Sequence, residues 1–252
     1  MLRVNELSKG FGGVRAVDRV SFSLAPDRIA GLIGPNGAGK TTLFNLIAGS
    51  LRPSGGRVEF EAARIDGRPP HAVFAAGIVR TFQIPRPFAA MTVLETLMVA
   101  PRRQSGERFW RNWLEPSGIA AQERALREKA RGLLAFVGLE TLANEPARVL
   151  SGGQRKLLEF ARALMADPKL ILLDEPGAGI NPALLASLVE KISAVRRSGI
   201  GFLIIEHNMD LVMSLCDPIL VMANGALLLE GSAAQVRGDP RVREAYLGGA
   251  AA

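Results

Sequence analysis

The sequence contains one cysteine, Cys216, in 252 residues. A single cysteine cannot form an internal disulfide, so the fold has to be stabilised by packing alone, and a reducing, cytoplasmic setting is expected. The segment that ends in Asp217 and Pro218 is typical of a helix end that enters a turn. We therefore expect the thiol of Cys216 to be buried and not to act as a nucleophile.

Long apolar runs are also absent from the sequence. A membrane-spanning helix needs roughly 18 to 20 consecutive apolar residues, and the nearest approaches are short runs such as 201–205 and 218–223. Residues 1–10 alternate polar and apolar side chains and lack the charged start and the apolar stretch of a signal peptide. The sequence thus predicts a chain that is soluble by itself and stays in the cytoplasm.

The composition is that of a folded protein with a basic surface. Apolar residues make up 48% of the chain, enough to bury the core of one large α/β domain or of two small lobes. Two interpretations of the net charge of +7 remain open, namely a surface that lies near anionic lipid or nucleic acid, or merely solvated helical faces. The basic residues cluster at Arg102, Arg103, Arg108 and Arg111 and again at Arg124, Arg127, Lys129 and Arg131.

The apolar patterns predict strands and helices in alternation, interrupted by a helix-rich stretch from about 85 to 160. The predicted strands are 2–7, 20–24, 28–33, 169–173 and 201–205, and the predicted helices are 40–48, 92–99, 120–137 and 182–195. This order predicts a separate helical lobe in the middle of the chain. We expect the two α/β stretches on either side of it to share one core.

A glycine-rich segment follows the strand that ends at Ile33. It fits the pattern G-x-x-x-x-G-K-[ST], in which backbone N–H groups surround phosphate oxygens and the N-terminus of the next helix adds partial positive charge. Lys40 supplies a full charge at the terminal phosphates, and Thr41 offers its hydroxyl to Mg²⁺. Because the match lies between a strand and a helix, it predicts a nucleotide site. Its residues are Gly34, Pro35, Asn36, Gly37, Ala38, Gly39, Lys40 and Thr41.

Two carboxylates, Asp174 and Glu175, follow the apolar run 170–173. This places them at the carboxyl end of a predicted parallel strand, where α/β proteins bind their ligands. Asp174 is suited to hold Mg²⁺, usually through water, and Glu175 to act as general base toward an attacking water. Such a pair alone more often marks a strand that meets solvent. Together with the phosphate loop it predicts a catalytic site.

A second anion-binding feature is predicted at 151–154. Ser151 precedes a helical pattern and is expected to be its N-cap, and Gly152 and Gly153 expose backbone donors at the positive end of that helix. Gln154 completes the segment. A chain that already has one phosphate loop does not need a second anion site for its own nucleotide, so this feature requires an explanation.

These motifs in this order resemble the nucleotide-binding domain of ABC transporters over essentially the whole chain. The resemblance is carried by the loop 34–42, by Gln83, by the string Leu-Ser-Gly-Gly-Gln at 150–154, by the strand 170–175 and by His207. It implies an α/β fold of the P-loop NTPase type, with a RecA-like mixed sheet, an antiparallel β subdomain and a helical lobe.

In domain terms, the resemblance implies a single ABC ATPase domain over 1–252. Its catalytic core is expected at 1–84 and 161–252, and its helical lobe at about 85–160, including the signature string. The insert at 101–118 falls within that lobe.

The resemblance also implies how the site works. Two subunits pair head to tail, so that each ATP, with its Mg²⁺, lies between the phosphate loop of one subunit and Ser151–Gln154 of the other. Thr42 belongs to the loop, Gln83 contacts Mg²⁺ and the attacking water, His207 binds the γ-phosphate, and Phe11 stacks on adenine. Taken without the family, Gln83 is an ordinary strand-end amide, His207 is a structural histidine, and Phe11 is a core or surface residue.

A closer resemblance rests on further strings of the sequence, namely 80–83 with Pro85 and Phe88, 91–95, 178–182, 205–209 with 211–213, 244–248 and the insert at 101–118. The resemblance is to the longer of the two ATPase subunits of branched-chain amino-acid importers. It implies a shorter sister ATPase as a possible partner in place of a second copy, two transmembrane subunits, an extracytoplasmic substrate-binding protein, and a location on the cytoplasmic face of the membrane. Nucleic acid is not expected as a partner.

Several alternatives stay open at this point. Urea, amides or other amino acids are the main alternatives for the cargo. A soluble ABC protein acting on nucleic acid or ribosomes, or a P-loop kinase, is disfavoured because the chain has one ATPase cassette and because a kinase would leave Ser151–Gln154 without a role. Asn181 stands where many family members have Asp, so its role across the subunits is open. The apolar residues Phe88, Met91, Val93 and Leu97 form either lobe core or a groove for a helix of the membrane subunit.

Overall fold

The computed structural model describes residues 1–81, 90–102 and 116–248. The chain divides into two compact units. The first comprises Met1–Arg80, Lys169–Ala178 and Ile192–Ala252, and the second comprises Thr81–Pro168 and Gly179–Lys191. Gln83, Phe88 and most of the insert at 101–118 lie outside the described residues.

Strands and helices alternate over most of the described chain. The strands are β1 (Leu2–Phe11), β2 (Val14–Leu24), β3 (Ile29–Ile33), β4 (Gly55–Phe60), β5 (Ala63–Arg64), β6 (Ile78–Arg80), β7 (Leu170–Asp174), β8 (Gly201–Ile205), β9 (Ile219–Ala223) and β10 (Ala226–Gly231). The helices are α1 (Lys40–Ile47), α2 (Pro70–Ala76), α3 (Val93–Met98), α4 (Pro116–Val137), α5 (Gly152–Met165), α6 (Pro182–Arg197), α7 (Met209–Leu215), α8 (Ala233–Gly238) and α9 (Pro240–Gly248).

Two sheets form the first unit. A four-stranded antiparallel sheet has the order β2-β1-β4-β5, and a six-stranded sheet has the order β10-β9-β3-β8-β7-β6. Within the second sheet β9, β3, β8, β7 and β6 run parallel, and β10 is antiparallel to β9. The predicted combination of a mixed sheet with an antiparallel β subdomain is thus confirmed.

The register of the mixed sheet brings three strand ends to one edge. Leu32 of β3 lies opposite Ile205 of β8, and Ile205 lies opposite Asp174 of β7. Each of these strands is buried along its whole length, as expected for central strands of a sheet covered on both faces. The segments that leave these strands therefore emerge side by side.

One buried apolar cluster joins both α/β stretches of the chain. It includes Leu43 and Phe44 of α1, Leu172 of β7 and Leu203 of β8, together with residues of the antiparallel sheet such as Val4. The predicted helix 40–48 is observed as Lys40–Ile47, and the predicted strand 201–205 is observed at the same residues. The core therefore fixes the strand ends, which carry the polar residues described below.

The second unit is built mainly from helices. α3 begins at a capping box in which Thr92 accepts a hydrogen bond from the backbone of Glu95 and the Glu95 carboxylate accepts one from the backbone of Thr92. Buried apolar residues pack α3, α4 and α5 together, with Leu97, Leu134 and Leu158 almost fully excluded from solvent. Met91 and Val93 lie in this unit, where Val93 is buried and Met91 is half-buried.

Cys216 lies directly after the end of a helix, as the sequence predicts. α7 ends at Leu215, and the Cys216 side chain that follows is buried. Burial, assisted by the charge of Glu206, raises the pKa of the thiol to about 12.

Across 1–81, 90–102 and 116–248, none of the helices combines the length and apolar character needed to span a bilayer.

Candidate nucleotide site

The glycine-rich loop connects β3 to α1 and folds closely against the neighbouring backbone. Gly34, Gly37 and Gly39 all have positive φ angles, of 149°, 78° and 98°. A Cβ atom at Gly34 would lie 2.1 Å from the backbone oxygen of Met222, so no larger residue fits there. Asn36, Gly37 and Thr41 are exposed, whereas Ala38 is buried beneath them. Pro35 and Thr42 are half-buried.

The side chain of Lys40 is almost buried, with 7% of its surface exposed. Its Nζ donates hydrogen bonds to the carbonyl oxygens of Gly34, at 2.7 Å, and of Pro35, at 2.9 Å. Burial lowers the pKa of Lys40, and the negative charges of Glu175 and Asp174 act in the opposite direction. Lys40 is therefore close to both carboxylates that the sequence singled out.

α1 begins at this loop with an uncapped N-terminus. Gly39 occupies the N-cap position, no side-chain hydrogen bond caps the helix, and its first turn contains no acidic residue. The first N–H groups of a helix have no partner within the helix. Together with the Lys40 ammonium, they form a positively polarised end that suits an anionic phosphate group.

Asp174 ends β7 and forms an ion pair with Arg80 of β6. Its Oδ2 atom lies 3.0 Å from a terminal nitrogen of the Arg80 guanidinium, and its side chain is only 6% exposed. Arg80 also donates to the side-chain oxygen of Asn45, and its guanidinium carbon lies 5.9 Å from the ring centre of Phe44. The sequence analysis missed Arg80 and Asn45 as parts of this site. A lone arginine at the end of a short strand gave no local signal.

Glu175 and His207 meet in space although they follow different strands. The Nε2 atom of His207 lies 3.1 Å from Oε1 of Glu175. The backbone of Glu175 has a φ of 49°, a left-handed conformation that residues with a side chain rarely adopt, and its N–H donates to the carbonyl oxygen of Ile205. The structure thus brings the predicted base and the predicted histidine together.

Glu206 is a further polar residue at the same strand ends. Its carboxylate accepts hydrogen bonds from the backbone N–H groups of Gly177, His207 and Asn208. The sequence analysis assigned Glu206 no function. The sequence does show a charged residue directly after the apolar run 201–205. A charged side chain that is buried at such a place needs specific hydrogen-bond partners.

Ser151 is the N-cap of α5, as predicted. Its hydroxyl accepts a hydrogen bond from the backbone of Gln154, and the Gln154 side chain accepts one from the backbone of Ser151. Ser151 and Gly152 are exposed. A Cβ atom at Gly153 would lie 2.6 Å from Cδ1 of Leu184 and 2.7 Å from Cγ2 of Ile180, so a larger residue there would displace these two side chains. The helix end is therefore accessible to a ligand from outside this unit.

The remaining predicted residues differ in their surroundings. Phe11 ends β1, is 49% exposed, and has the Lys9 ammonium 5.1 Å from its ring centre, so it is not a core residue. The side chain of Asn181 accepts a hydrogen bond from the backbone of Leu184 at the start of α6. The role given to Gln83 stays a prediction, since that residue lies outside the described part of the chain.

The site has oxygen donors of the kind that Mg²⁺ prefers. Asp174 offers a carboxylate, and Thr41 offers an exposed hydroxyl. Among the described residues, no group of three or more His, Cys, Asp and Glu side chains is arranged to hold a metal ion. Mg²⁺ commonly binds through one or two carboxylates together with substrate phosphates, and this donor set fits that mode and not an all-protein cage.

Comparisons with known proteins agree on one family. The family model described as ABC transporter matches residues 17–178, and the model described as branched-chain amino acid ATP-binding cassette transporter matches residues 226–252. The chain is 44% identical, over 252 residues, to the probable branched-chain amino acid transport ATP-binding protein LivG of Archaeoglobus fulgidus, covering 98% of this chain and 95% of that protein. It is 40% identical to the high-affinity branched-chain amino acid transport ATP-binding protein BraF of Pseudomonas aeruginosa, covering 98% of each.

Solved structures give the same result. A nucleotide-free ATP-binding cassette from an ABC transporter superposes with a TM-score of 0.84 at 40% identity, covering 97% of this chain and 98% of that one. The ADP conformation of an ATP-binding cassette of an ABC transporter also superposes with a TM-score of 0.84, at 38% identity and with 98% of each chain covered.

Proposed function

This chain belongs to the ABC transporter family, and from that premise we propose that it is the subunit that binds and hydrolyses ATP in an importer of branched-chain amino acids. The proposal of the cargo is supported by the two named relatives, which are called branched-chain amino acid transport ATP-binding proteins. The observation that carries the catalytic part is the contact between Glu175 and His207, 3.1 Å apart, beside the phosphate loop. Glu175 and Asp174 lie close enough to Lys40 for their negative charges to oppose the lowering of its pKa by burial. All three groups can therefore act on one phosphate chain.

The loop and Lys40 bind the phosphates of ATP. Exposed backbone at Asn36 and Gly37 and the N-terminus of α1 supply N–H donors, and the Lys40 ammonium exchanges its bonds to the Gly34 and Pro35 carbonyls for phosphate oxygens. Phe11, exposed at the end of β1, offers an aromatic face to the adenine ring. Binding therefore relies on preformed backbone geometry and on one flexible cation.

Hydrolysis uses a water molecule activated at Glu175. The carboxylate accepts a proton from the water, the water oxygen forms a bond to the γ-phosphorus, and the bond from that phosphorus to the bridging oxygen of ADP breaks. Through its imidazole, His207 contacts the Glu175 carboxylate and would hold it in a fixed position relative to an oxygen of the γ-phosphate. Mg²⁺, held by Asp174, Thr41 and Gln83, would neutralise charge on the phosphates.

A second ATPase subunit completes the site. The N-terminus of α5, where Ser151 and Gly152 are exposed, Gln154 is half-buried and Gly153 is buried, would receive the γ-phosphate of the nucleotide bound to the partner's loop. The partner is a second copy of this chain or a shorter sister ATPase. Two transmembrane subunits would hold the pair at the cytoplasmic face of the membrane, and a substrate-binding protein would act through them from the other side. No step requires nucleic acid.

Uptake and ATPase measurements test this proposal. Deleting the gene in its host is expected to abolish uptake of labelled leucine and to leave uptake of labelled urea unchanged, and restoring the chain is expected to restore leucine uptake. Loss of urea uptake alone would assign the chain to a different cargo. For the purified chain, ATP turnover per molecule is expected to rise with protein concentration, because the site needs two subunits. A total rate strictly proportional to concentration would contradict the shared site.

A further inference from the structure

Glu206 holds two loops of the site with one buried carboxylate. Its side chain follows β8, and the residue is only 4% exposed. Oε1 accepts a hydrogen bond from the N–H of Gly177 at 2.6 Å. Oε2 accepts from the N–H of His207 at 2.9 Å and from the N–H of Asn208 at 3.2 Å. Each carboxylate oxygen therefore serves a different segment of the chain.

The two segments are those that carry the reacting pair. Gly177 lies two residues after Glu175, and His207 follows Glu206 directly. The side chains of Glu175 and His207 meet at 3.1 Å, with the backbone of Glu175 in the left-handed region at a φ of 49°. Such a backbone conformation persists only where the surroundings hold it. The hydrogen bond from Gly177 to Glu206 is formed two residues after Glu175, and it links the segment that carries Glu175 to the segment that carries His207.

The chemistry of the partners requires a carboxylate here. Burying a charged group is unfavourable unless hydrogen bonds replace its lost hydration. No ion pair of Glu206 occurs in the part of the chain that the structure describes, and its hydrogen-bond partners there are N–H donors. A glutamine in its place has one acceptor oxygen and one NH₂ group, so it would turn a donor toward one of the two segments. An aspartate is one methylene shorter and cannot span both.

We propose that Glu206 is a positioning residue that fixes the distance between Glu175 and His207 by binding the backbone on both sides of them. The inference rests on the proposed hydrolysis of ATP at Glu175. Glu206 touches neither the nucleotide nor the water in this role. It acts through the two residues that do, and its loss affects the chemical step more than the binding of ATP.

Kinetics of the transporter-bound or self-associated chain separate this role from general stabilisation. In the Glu206→Gln and Glu206→Asp variants, kcat is expected to fall by about tenfold or more, with KM for ATP changed by less than about twofold. The matched control is Glu159→Gln, which alters an equally buried glutamate of α5 that is paired with Arg162 in the other unit. This control is expected to reduce stability without a selective effect on kcat. Equal kcat values for Glu206→Gln and the unmodified chain would overturn the proposal.

A double variant tests whether Glu206 acts through Glu175. In a Glu175→Gln background, adding Glu206→Gln is expected to lower kcat no further, because the group that it positions is already absent. An additional loss of the same size as in the unmodified background would show an independent, structural effect and would overturn the proposal.

A measurement without turnover gives a second, separate readout. The chain has two histidines, His71 and His207, so the imidazole proton resonances can be assigned with a His71→Gln variant. In nucleotide-free Glu206→Gln, the His207 resonances are expected to move toward their positions in Glu175→Gln. Unmoved resonances would overturn the proposal even where a variant has lost stability. An unmodified chain that turns over no ATP would reject the proposed function, and the resonances would still decide the role of Glu206.

Discussion

The imidazole of His207 lies against the carboxylate of Glu175, with Nε2 and Oε1 3.1 Å apart. The two residues are 32 positions apart in the chain and follow the neighbouring strands β7 and β8, whose pairing sets Asp174 opposite Ile205. A general base needs both a free lone pair and a fixed direction toward its water. The contact with His207 supplies the direction, because it holds the Oε1 atom of the carboxylate in place.

Replacing this base is expected to stop turnover without stopping binding. In Glu175→Gln, ATP affinity should change little, because the side chain keeps its shape and does not bind the phosphates directly. We expect kcat to fall by at least about 100-fold, the usual contribution of a general base, and the protein to accumulate as an ATP-bound dimer in size-exclusion chromatography. Glu61→Gln, at an exposed ion pair with Lys169, is the control and should keep full activity. Unimpaired turnover in Glu175→Gln would reject Glu175 as the base.

Loss of the loop lysine is expected to weaken nucleotide binding. Lys40→Met removes the ammonium that donates to the carbonyl oxygens of Gly34 and Pro35 and that we propose binds the phosphates of ATP. Because charged hydrogen bonds contribute about 1.5 to 3 kcal/mol, affinity should fall by roughly tenfold or more. A fluorescent ATP analogue measures this directly. Lys169→Met, which removes an exposed lysine, should bind the analogue normally, and equal affinity of both variants would contradict the assignment.

The Arg80–Asp174 pair is expected to keep free divalent cations out of the site. Arg80 neutralises the buried Asp174 carboxylate from 3.0 Å. In Arg80→Gln that carboxylate has lost its cation, and the nucleotide-free chain should bind Mn²⁺ about tenfold more tightly in an electron paramagnetic resonance titration. Arg64→Gln breaks an arginine–aspartate pair with Asp66, 2.9 Å apart, more exposed and outside the site, and should leave Mn²⁺ binding unchanged. Identical Mn²⁺ affinities in all three proteins would refute this role.

The chain contains its own control for the serine at the start of α5. Ser151 with Gln154 and Ser232 with Gln235 form the same capping box at α5 and α8. Ser151→Ala and Ser232→Ala should each cost about 1 kcal/mol of stability in denaturant unfolding. Only Ser151→Ala is expected to lower ATP turnover, by about tenfold or more, because only this helix end completes the partner's nucleotide site. Equal activity of the two variants would show that Ser151 serves the fold alone.

The thiol of Cys216 is expected to be unreactive in the folded chain. Burial raises its pKa from 9.0 to about 12, so at pH 8 the reactive thiolate is about 1,000-fold rarer than for an ordinary thiol. An aromatic disulfide reagent should label Cys216 promptly in denaturant and only over the timescale of local opening without it. Rapid labelling of the native protein would show that the segment from α7 to β9 opens readily.

The phosphate loop and the helix caps were readable from the sequence because their interactions are local. The loop residues follow one another in the chain, and Ser151 bonds to Gln154 three residues later. The same holds for Asp174 and Glu175, which adjoin at the end of one buried strand. In each case a backbone geometry set by neighbouring residues places the chemical groups, so the residue types and spacing predict the site.

Other parts of the site depend on contacts between distant segments. Arg80 reaches Asp174 across 94 residues and Asn45 across 35, and Glu206 reaches Gly177 across 29. Composition and periodicity predict that a buried charge needs partners, but they do not say which ones. The partners follow from the order of β6, β7 and β8 in the sheet.

The sequence by itself therefore determined the class of fold, the nucleotide loop, the carboxylate pair and the capped helix at Ser151, since all of these arise from short-range geometry. The tertiary structure alone decided that His207 contacts Glu175, that Arg80 neutralises Asp174 and that Glu206 binds both loops. The physical reason is strand register. A shift of one residue between β7 and β8 would turn the side chains of one strand to the opposite face of the sheet relative to those of the other, and only the packed core fixes that register.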